Sequence, residues 1–374
     1  MAVTVPNAPT PRPPSPASMP RRVTPCASER AVRRPSGGWV VAETLDIEST
    51  PTVILDGRYL RRFANLTRAS IATTAAEARR LAPLVQRCAA NQRPEHDQLQ
   101  LPSGSVVRIA ATPIFGPAEH VYGVSVWAGP ASDIAPIAPT VGAIQWDAAT
   151  LLATISPAMR TLLAIPDTEF QSPMTFPTLL AQFDRWDDRA GLLSLLDPSH
   201  SVDHWTGTAT TQFPHGGRQH LHIVAKAVPA TSTIRALVCD ISRTATPPAA
   251  DSISAALRRA PIAPGHALAI VDLTTGLIHE WIGGGPFANW RNQTPHIHPE
   301  DSPLITDTCA RLRAGALTVT ITARIRFNDS DSWIPLQTTW TLLTHDDRPQ
   351  ALVDVVRLPV VTRESEKEPR GADT

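Results

Sequence analysis

Two pairs of histidines are spaced so that they can act together: His220 with His222, and His296 with His298. On a strand, residues two apart project from one face, so either pair offers two imidazoles to a metal ion or a haem iron. Neither pair has a third ligand at a usual spacing. His298 also fits a helix cap, and the outward face of a sheet accounts for His220 and His222. A metal or haem at His296 and His298 is therefore disfavoured, and no cofactor is expected. Asp184, Asp187 and Asp188 stand among Arg185 and Arg189. Paired carboxylates do acid–base work when burial separates their pKa values. Here like charges recur four apart with opposite charges between them, which describes a solvated helix face. Gly283-Gly284-Gly285-Pro286 is glycine-rich but lacks the G-K-[ST] ending of a phosphate loop. It reads as a mobile connector after a hairpin. No G-x-S-x-G nucleophile elbow occurs. No catalytic residue is assigned, and the chain is not expected to be an enzyme.

Tryptophans are the remaining candidates for a site. Trp281 and Trp290 bracket the glycine loop, and ligand cavities combine apolar walls with a few polar groups. These two, with His298 and Trp205, are the ligand-pocket candidates. Core packing is the competing account, above all for Trp205 and Trp340.

Composition limits what such a pocket serves. The chain has 374 residues, 42% of them hydrophobic and 18% charged, enough apolar material for two or three cores. Its 34 basic residues balance 34 acidic ones, so no concentrated basic face for nucleic acid is expected. Cys26, Cys88, Cys239 and Cys309 are widely separated, which suits buried thiols better than a zinc site or a disulfide framework. No apolar run reaches the ~18 residues of a membrane span, and no secretion signal is evident.

The elements that must position these residues repeat three times. In each repeat a helix-like stretch precedes amphipathic strands folded around a turn: Pro102-Ser103-Gly104, Pro214-His215-Gly216-Gly217 and Asn328-Asp329-Ser330-Asp331. Residues 1–37 are rich in proline and arginine and are expected to be a disordered tail, with Met19 as an alternative start. The predicted modules cover 38–131, 141–245 and 252–361, followed by a loose tail over 362–374.

In the first module, short strands at Trp39–Ala42 and Thr52–Leu55 precede a helix over 73–90, which Pro83 weakens or shifts. Strands follow at Gln98–Leu101, Val106–Ile114 and Val121–Trp127, then a linker over 129–140. The second module opens with a hairpin, Ile144–Asp147 and Leu151–Ile155. Ser156-Pro157 then starts a short helix, and a longer helix covers about 178–196. Three strands end at Ile241, and Thr244–Ala250 is the next linker. The third module has a lead-in helix over 253–259 and a hairpin at Ala267–Leu273 and Leu277–Trp281. Asp301 or Ser302 caps its helix, which Gly315 ends. In its strands, Val319, Ile321, Ala323, Ile325 and Phe327 alternate with polar residues, and Ile334, Leu336, Trp340 and Leu342 share a face.

Hairpin, helices, then three antiparallel strands is the chain order of a PAS-type domain, and a GAF domain is close in architecture. The expected fold class is α+β: three consecutive PAS/GAF-like domains, each an antiparallel sheet with helices on one face. Two short motifs agree. Asp240-Ile241-Ser242 resembles the Asp-Ile-Thr/Ser triplet at the exit of PAS domains, and His298-Pro299-Glu300-Asp301 resembles the H-P-x-D that starts a PAS helix. Longer segments are more specific. Trp39–Leu45, Tyr122–Pro130 and Gly142–Asp147, in that order, resemble a family of stand-alone mycobacterial and actinobacterial tandem sensors of PAS–GAF–PAS type. The resemblance spans roughly 38–361 and is densest in 38–150. It implies a cytoplasmic sensor without an output domain of its own, and it transfers neither a ligand nor catalytic residues. The PAS-like exit of the middle module leaves open which module is the GAF.

The function expected is a non-enzymatic signalling sensor or adaptor. It would bind a small apolar or amphipathic ligand, or a protein partner that carries the output, and relay binding by repacking its domains. The alternative is a constitutive interaction scaffold with pockets filled by side chains.

Overall fold

The computed structural model describes residues 38–213, 216–282, 290, 292–327 and 332–358, apart from the side chains of Ile253 and Ser254. The expected tails 1–37 and 362–374, Gly283–Pro286, Pro214 with His215, and the turn Asn328–Asp331 lie outside the described residues.

The first module runs β1 (Val40–Glu43), β2 (Thr52–Asp56), β3 (Tyr59–Asn65), α1 (Ala75–Asn91), β4 (Glu95–Gln100), β5 (Val106–Phe115) and β6 (Val121–Pro130). Its antiparallel sheet has the order β3-β2-β1-β6-β5-β4. Thr74 and Glu77 start α1 with a reciprocal capping box, each side chain accepting from the other's backbone N–H. Contrary to the sequence expectation, α1 runs unbroken through Pro83. The hydrogen bond lost at proline is outweighed by burial of Leu81, Leu84, Val85 and Cys88 along one stripe. The expected linker at 129 begins two residues later, because β6 continues to Pro130.

The second module comprises β7 (Val141–Asp147), β8 (Ala153–Ile155), α2 (Pro157–Leu162), α3 (Phe176–Leu180), β9 (Arg185–Trp186), α4 (Arg189–Leu195), β10 (His204–Gln212), β11 (Arg218–Val228) and β12 (Thr233–Asp240). Its sheet order is β8-β7-β12-β11-β10-β9. The single helix expected over 178–196 is replaced by α3, β9 and α4. Asp188 takes a left-handed backbone conformation and caps α4 by accepting from Gly191 N–H, while Trp186 pairs with Ala209 as an edge strand. The Asp/Arg run is accordingly no solvated helix face. Asp184 accepts from Thr210 Oγ1 and from Arg218, Asp187 from Thr208 Oγ1 and Arg185, and Asp188 from Trp205 Nε1.

The third module follows as α5 (Ser252–Arg259), β13 (His266–Asp272), β14 (Ile278–Ile282), β15 (Pro295–Ile297), α6 (Ser302–Arg313), β16 (Thr318–Phe327), β17 (Ile334–Thr344) and β18 (Gln350–Arg357), with the order β14-β13-β18-β17-β16-β15. Asp301 precedes α6 but does not cap it. Its carboxylate accepts instead from the backbone N–H, Nε and Nη2 of Arg324.

The described residues are thus mostly β, three antiparallel six-stranded sheets with few helices, rather than balanced α+β. One core gathers the buried side of α1 with Val40, Ala42, Ile109, Val124 and Val126. The alternate residues of the same strands do not face water. Val41, Ile54, Leu55 and Tyr122 pack with Ala143, Val224, Leu237, Cys239 and Ile241 of the second module in a separate buried cluster. Two sheets therefore share a core, each burying both faces. This corrects the expectation for His220 and His222. Their outward-facing side of β11 is covered, and both rings are buried.

Candidate functional site

The third module holds a partly open cavity between its sheet and the segment carrying Trp290 and α6. The cavity has a volume of about 230 Å³. Ala323, Ile325 and Phe327 of β16, Leu336, Thr338 and Trp340 of β17, and Val353 and Val355 of β18 form its floor. These positions alternate along their strands, so one face of each strand supplies the wall. Trp281 on β14 and Trp290 close one side, their ring centroids 6.4 Å apart, and Trp290 packs on Phe327 at 4.5 Å. Ile305 of α6 contributes from above.

The second module supplies part of the same wall. Thr150 and Leu151, from the turn between β7 and β8, and Thr175, Phe176 and Pro177 at the start of α3 all line the cavity. Thr175 starts α3 as its cap and shares a hydrogen bond with Thr178 Oγ1. Leu277 of the third module in turn packs against the second module's core. No charged side chain lines the cavity among the described residues.

Two buried polar side chains face this apolar space, Thr175 and Thr338. Thr338 Oγ1 accepts from the indole Nε1–H of Trp340 at 2.9 Å. Sequence reasoning passed over Thr338. The signal was present as a polar residue interrupting the apolar row 334, 336, 340 and 342.

Of the pocket candidates read from the sequence, Trp281 and Trp290 line the cavity, and His298 and Trp205 do not. His298 accepts from the backbone N–H of Glu300 through Nδ1 and stands edge-on to Trp333 at 4.6 Å. Trp205 stacks on Trp186 in the second module's core, with ring centroids 5.9 Å apart, and donates to Asp188. His296 lies on β15 opposite Arg326. No cluster of three or more His, Cys, Asp or Glu side chains suited to a metal occurs among the described residues. Cys88, Cys239 and Cys309 are buried and unpaired, and burial pushes the Cys239 thiol up to about 12.

The exit motif Asp240-Ile241-Ser242 ties the second module's last strand to its neighbours. Asp240 accepts from the backbone and the hydroxyl of Ser242, Ser242 Oγ accepts from His220 N–H at 2.8 Å, and Ile241 sits in the core shared by the two sheets.

Charged groups concentrate where the second module meets the third. Arg348 bridges Asp197 at 3.3 Å and Asp272 at 2.9 Å, all three being buried. Glu280 is held between Arg189 and Arg258. His279 lies fully buried beside this network, and burial, reinforced by the positive charge of Arg189, pushes its pKa down to about 3.

Fold and site together define a tandem protein of three mostly-β modules with a largely apolar cavity completed across two of them. Residues 38–137 match the family model described as Rv3651-like, N-terminal. The crystal structure of an uncharacterized protein from Mycobacterium tuberculosis shares the fold, with a TM-score of 0.63 at 20% identity over 87% of this chain and 97% of that one. The family-model match over the first module supports the resemblance to an actinobacterial family, and the solved structure shows the shared fold. An RNA-binding light-oxygen-voltage receptor (TM-score 0.22, 9% identity, 59% of this chain and 93% of that one) and the periplasmic sensory domain of the Campylobacter jejuni chemoreceptor Tlp1 (0.16, 12%, 55% and 72%) are too distant to carry an argument. No curated protein matches the chain. No helix among the described residues is long and apolar enough to cross a membrane.

Proposed function

We propose that the chain is a non-enzymatic cytoplasmic sensor whose third module binds a small apolar ligand and passes the event to a protein partner by changing how the second and third modules pack. The observation that carries this reading is the cavity of about 230 Å³, without a charged wall residue among the described residues, to which both modules contribute. A ligand shifts an equilibrium only by its differential affinity for the two states. A molecule touching Leu151 and Phe176 as well as Trp281 and Trp340 has such a preference, because separating the modules removes part of its wall. The hairpin, helix and three-strand order of each module supports a PAS/GAF-type assignment, with the PAS-like exit at Asp240-Ile241-Ser242 favouring PAS for the middle one. That middle module favours the scaffold reading for itself alone, since Trp146, Phe183, Trp186 and Trp205 fill the space between its sheet and helices.

The test is thermal denaturation of the full chain with neutral aromatic compounds, followed in parallel by tryptophan fluorescence. A ligand at a hundred times its Kd stabilises by about 2.7 kcal/mol. Ala323→Phe places a ring inside the cavity and is expected to abolish the shift. Wild-type protein unaffected by every such compound sinks the reading.

A further inference from the structure

Thr338 is chemically out of place in its wall. Its neighbours on the same face of β17, Leu336 and Trp340, are apolar, and it pairs across the sheet with Ile321 and Val355. A hydroxyl carries one proton and two lone pairs, whereas an indole N–H only donates. Because Trp340 Nε1–H donates to Thr338 Oγ1, the hydroxyl serves as acceptor in that bond and its own proton is left over. Thr338 makes no second hydrogen bond among the described residues. A buried hydroxyl proton without an acceptor costs free energy, and a ligand that supplies the acceptor recovers it. The other buried hydroxyl on the wall, that of Thr175, already exchanges a hydrogen bond with Thr178.

We propose that Thr338, polarised by Trp340, is the specificity-determining donor of this cavity, and that the ligand is a neutral cyclic ketone or related carbonyl compound. This rests on the reading of the cavity as a ligand site and adds the ligand's chemical class. Size follows from volume. A dry apolar cavity of about 150 Å³ takes benzene, so about 230 Å³ takes roughly nine or ten non-hydrogen atoms. Charge follows from the wall. A carboxylate or ammonium buried there finds no counter-ion among the described residues and keeps its desolvation cost. Shape follows from Trp281, Trp290 and Phe327, whose faces and edges suit a flat ring.

Three compounds of matched size separate the possibilities: 1-indanone, indane and 3-phenylpropanoate. Calorimetric titration of the full chain is expected to rank 1-indanone about tenfold tighter than indane, with no binding of 3-phenylpropanoate. Thr338→Val is expected to bring 1-indanone down to the affinity of indane and to leave indane unchanged. Thr338→Ser keeps the hydroxyl and is expected to keep the preference. If Thr338→Val does not fold, the wild-type ranking and the serine variant decide. Equal binding of indane and 1-indanone by the wild type, or an unaltered preference in Thr338→Val, overturns the role of Thr338 and leaves the cavity reading intact. Binding of none of the three overturns both.

Discussion

Gly123 on β6 lies against Leu237 on β12 so closely that a Cβ at position 123 would stand 2.7 Å from Leu237 Cδ1 and 2.9 Å from the carbonyl oxygen of Ala42. The first two sheets touch there, and the absence of a side chain sets their separation. Tyr122, next in sequence, donates to Gln145 across the same boundary, and the guanidinium of Arg235 lies over its ring at 5.2 Å.

Gly123→Val is therefore expected to push the sheets apart and to destabilise the first two modules by about 1–3 kcal/mol, as overpacking does. Leu237→Ala on the facing strand is expected to cost about 2–5 kcal/mol by leaving a cavity. Urea midpoints of the two variants check this. Wild-type midpoints would mean that the shared core contributes little.

Arg348 holds two buried carboxylates, Asp197 from the second module and Asp272 from the third. Arg348→Met leaves both charges without their partner and is expected to cost about 3–5 kcal/mol. Adding Asp272→Asn is expected to recover part of that loss, because one uncompensated charge disappears. A double-mutant cycle on urea midpoints measures the recovery, and strict additivity would refute the coupling.

Acid is expected to loosen both module boundaries earlier than carboxylate chemistry alone requires. Burial pushes His222 down to about 4 and His279 to about 3, against about 6.5 in an unfolded chain. Between those values the unfolded chain binds protons that the folded chain does not, so stability falls as pH drops below about 6.5 and levels off only beneath the folded values. His220 faces His222, while Arg189, Glu280 and Arg348 surround His279. Urea midpoints between pH 7.5 and 5 are expected to decline, and less steeply in His222→Gln and His279→Gln. A flat wild-type profile over that range contradicts the assignment.

The Arg324–Asp301 pair titrates lower. The Arg324 guanidinium holds the Asp301 carboxyl at about 2, so this contribution is present above about pH 3.9 and is lost as pH falls through the folded value. Asp301→Asn is expected to be destabilising at neutral pH and indistinguishable from wild type near pH 2, measured by far-ultraviolet circular dichroism in urea.

How much of this was legible in the sequence depends on the range of the interactions involved. Strict alternation from Val319 to Phe327 identifies β16 because a strand's period of two needs no distant partner, and Ser156 with Pro157 announces the start of α2 by purely local capping. Trp281 and Trp290 were legible as aromatic residues around a glycine-rich loop. Thr338 was not, because one threonine in an apolar row acquires meaning only when its proton is seen to lack an acceptor.

By itself the sequence determined three successive strand-rich modules, their turns and their alternating faces, all set by neighbours within a few residues. Tertiary structure alone decided that the back of β11 is buried, that Asp184–Arg189 forms a strand edge and a helix cap instead of a continuous helix, and that Leu151 and Phe176 help wall the third module's cavity. The physical reason is that a periodic pattern reports which side of an element is apolar, whereas burial, ion pairing and cavity closure depend on which distant surface arrives to cover it.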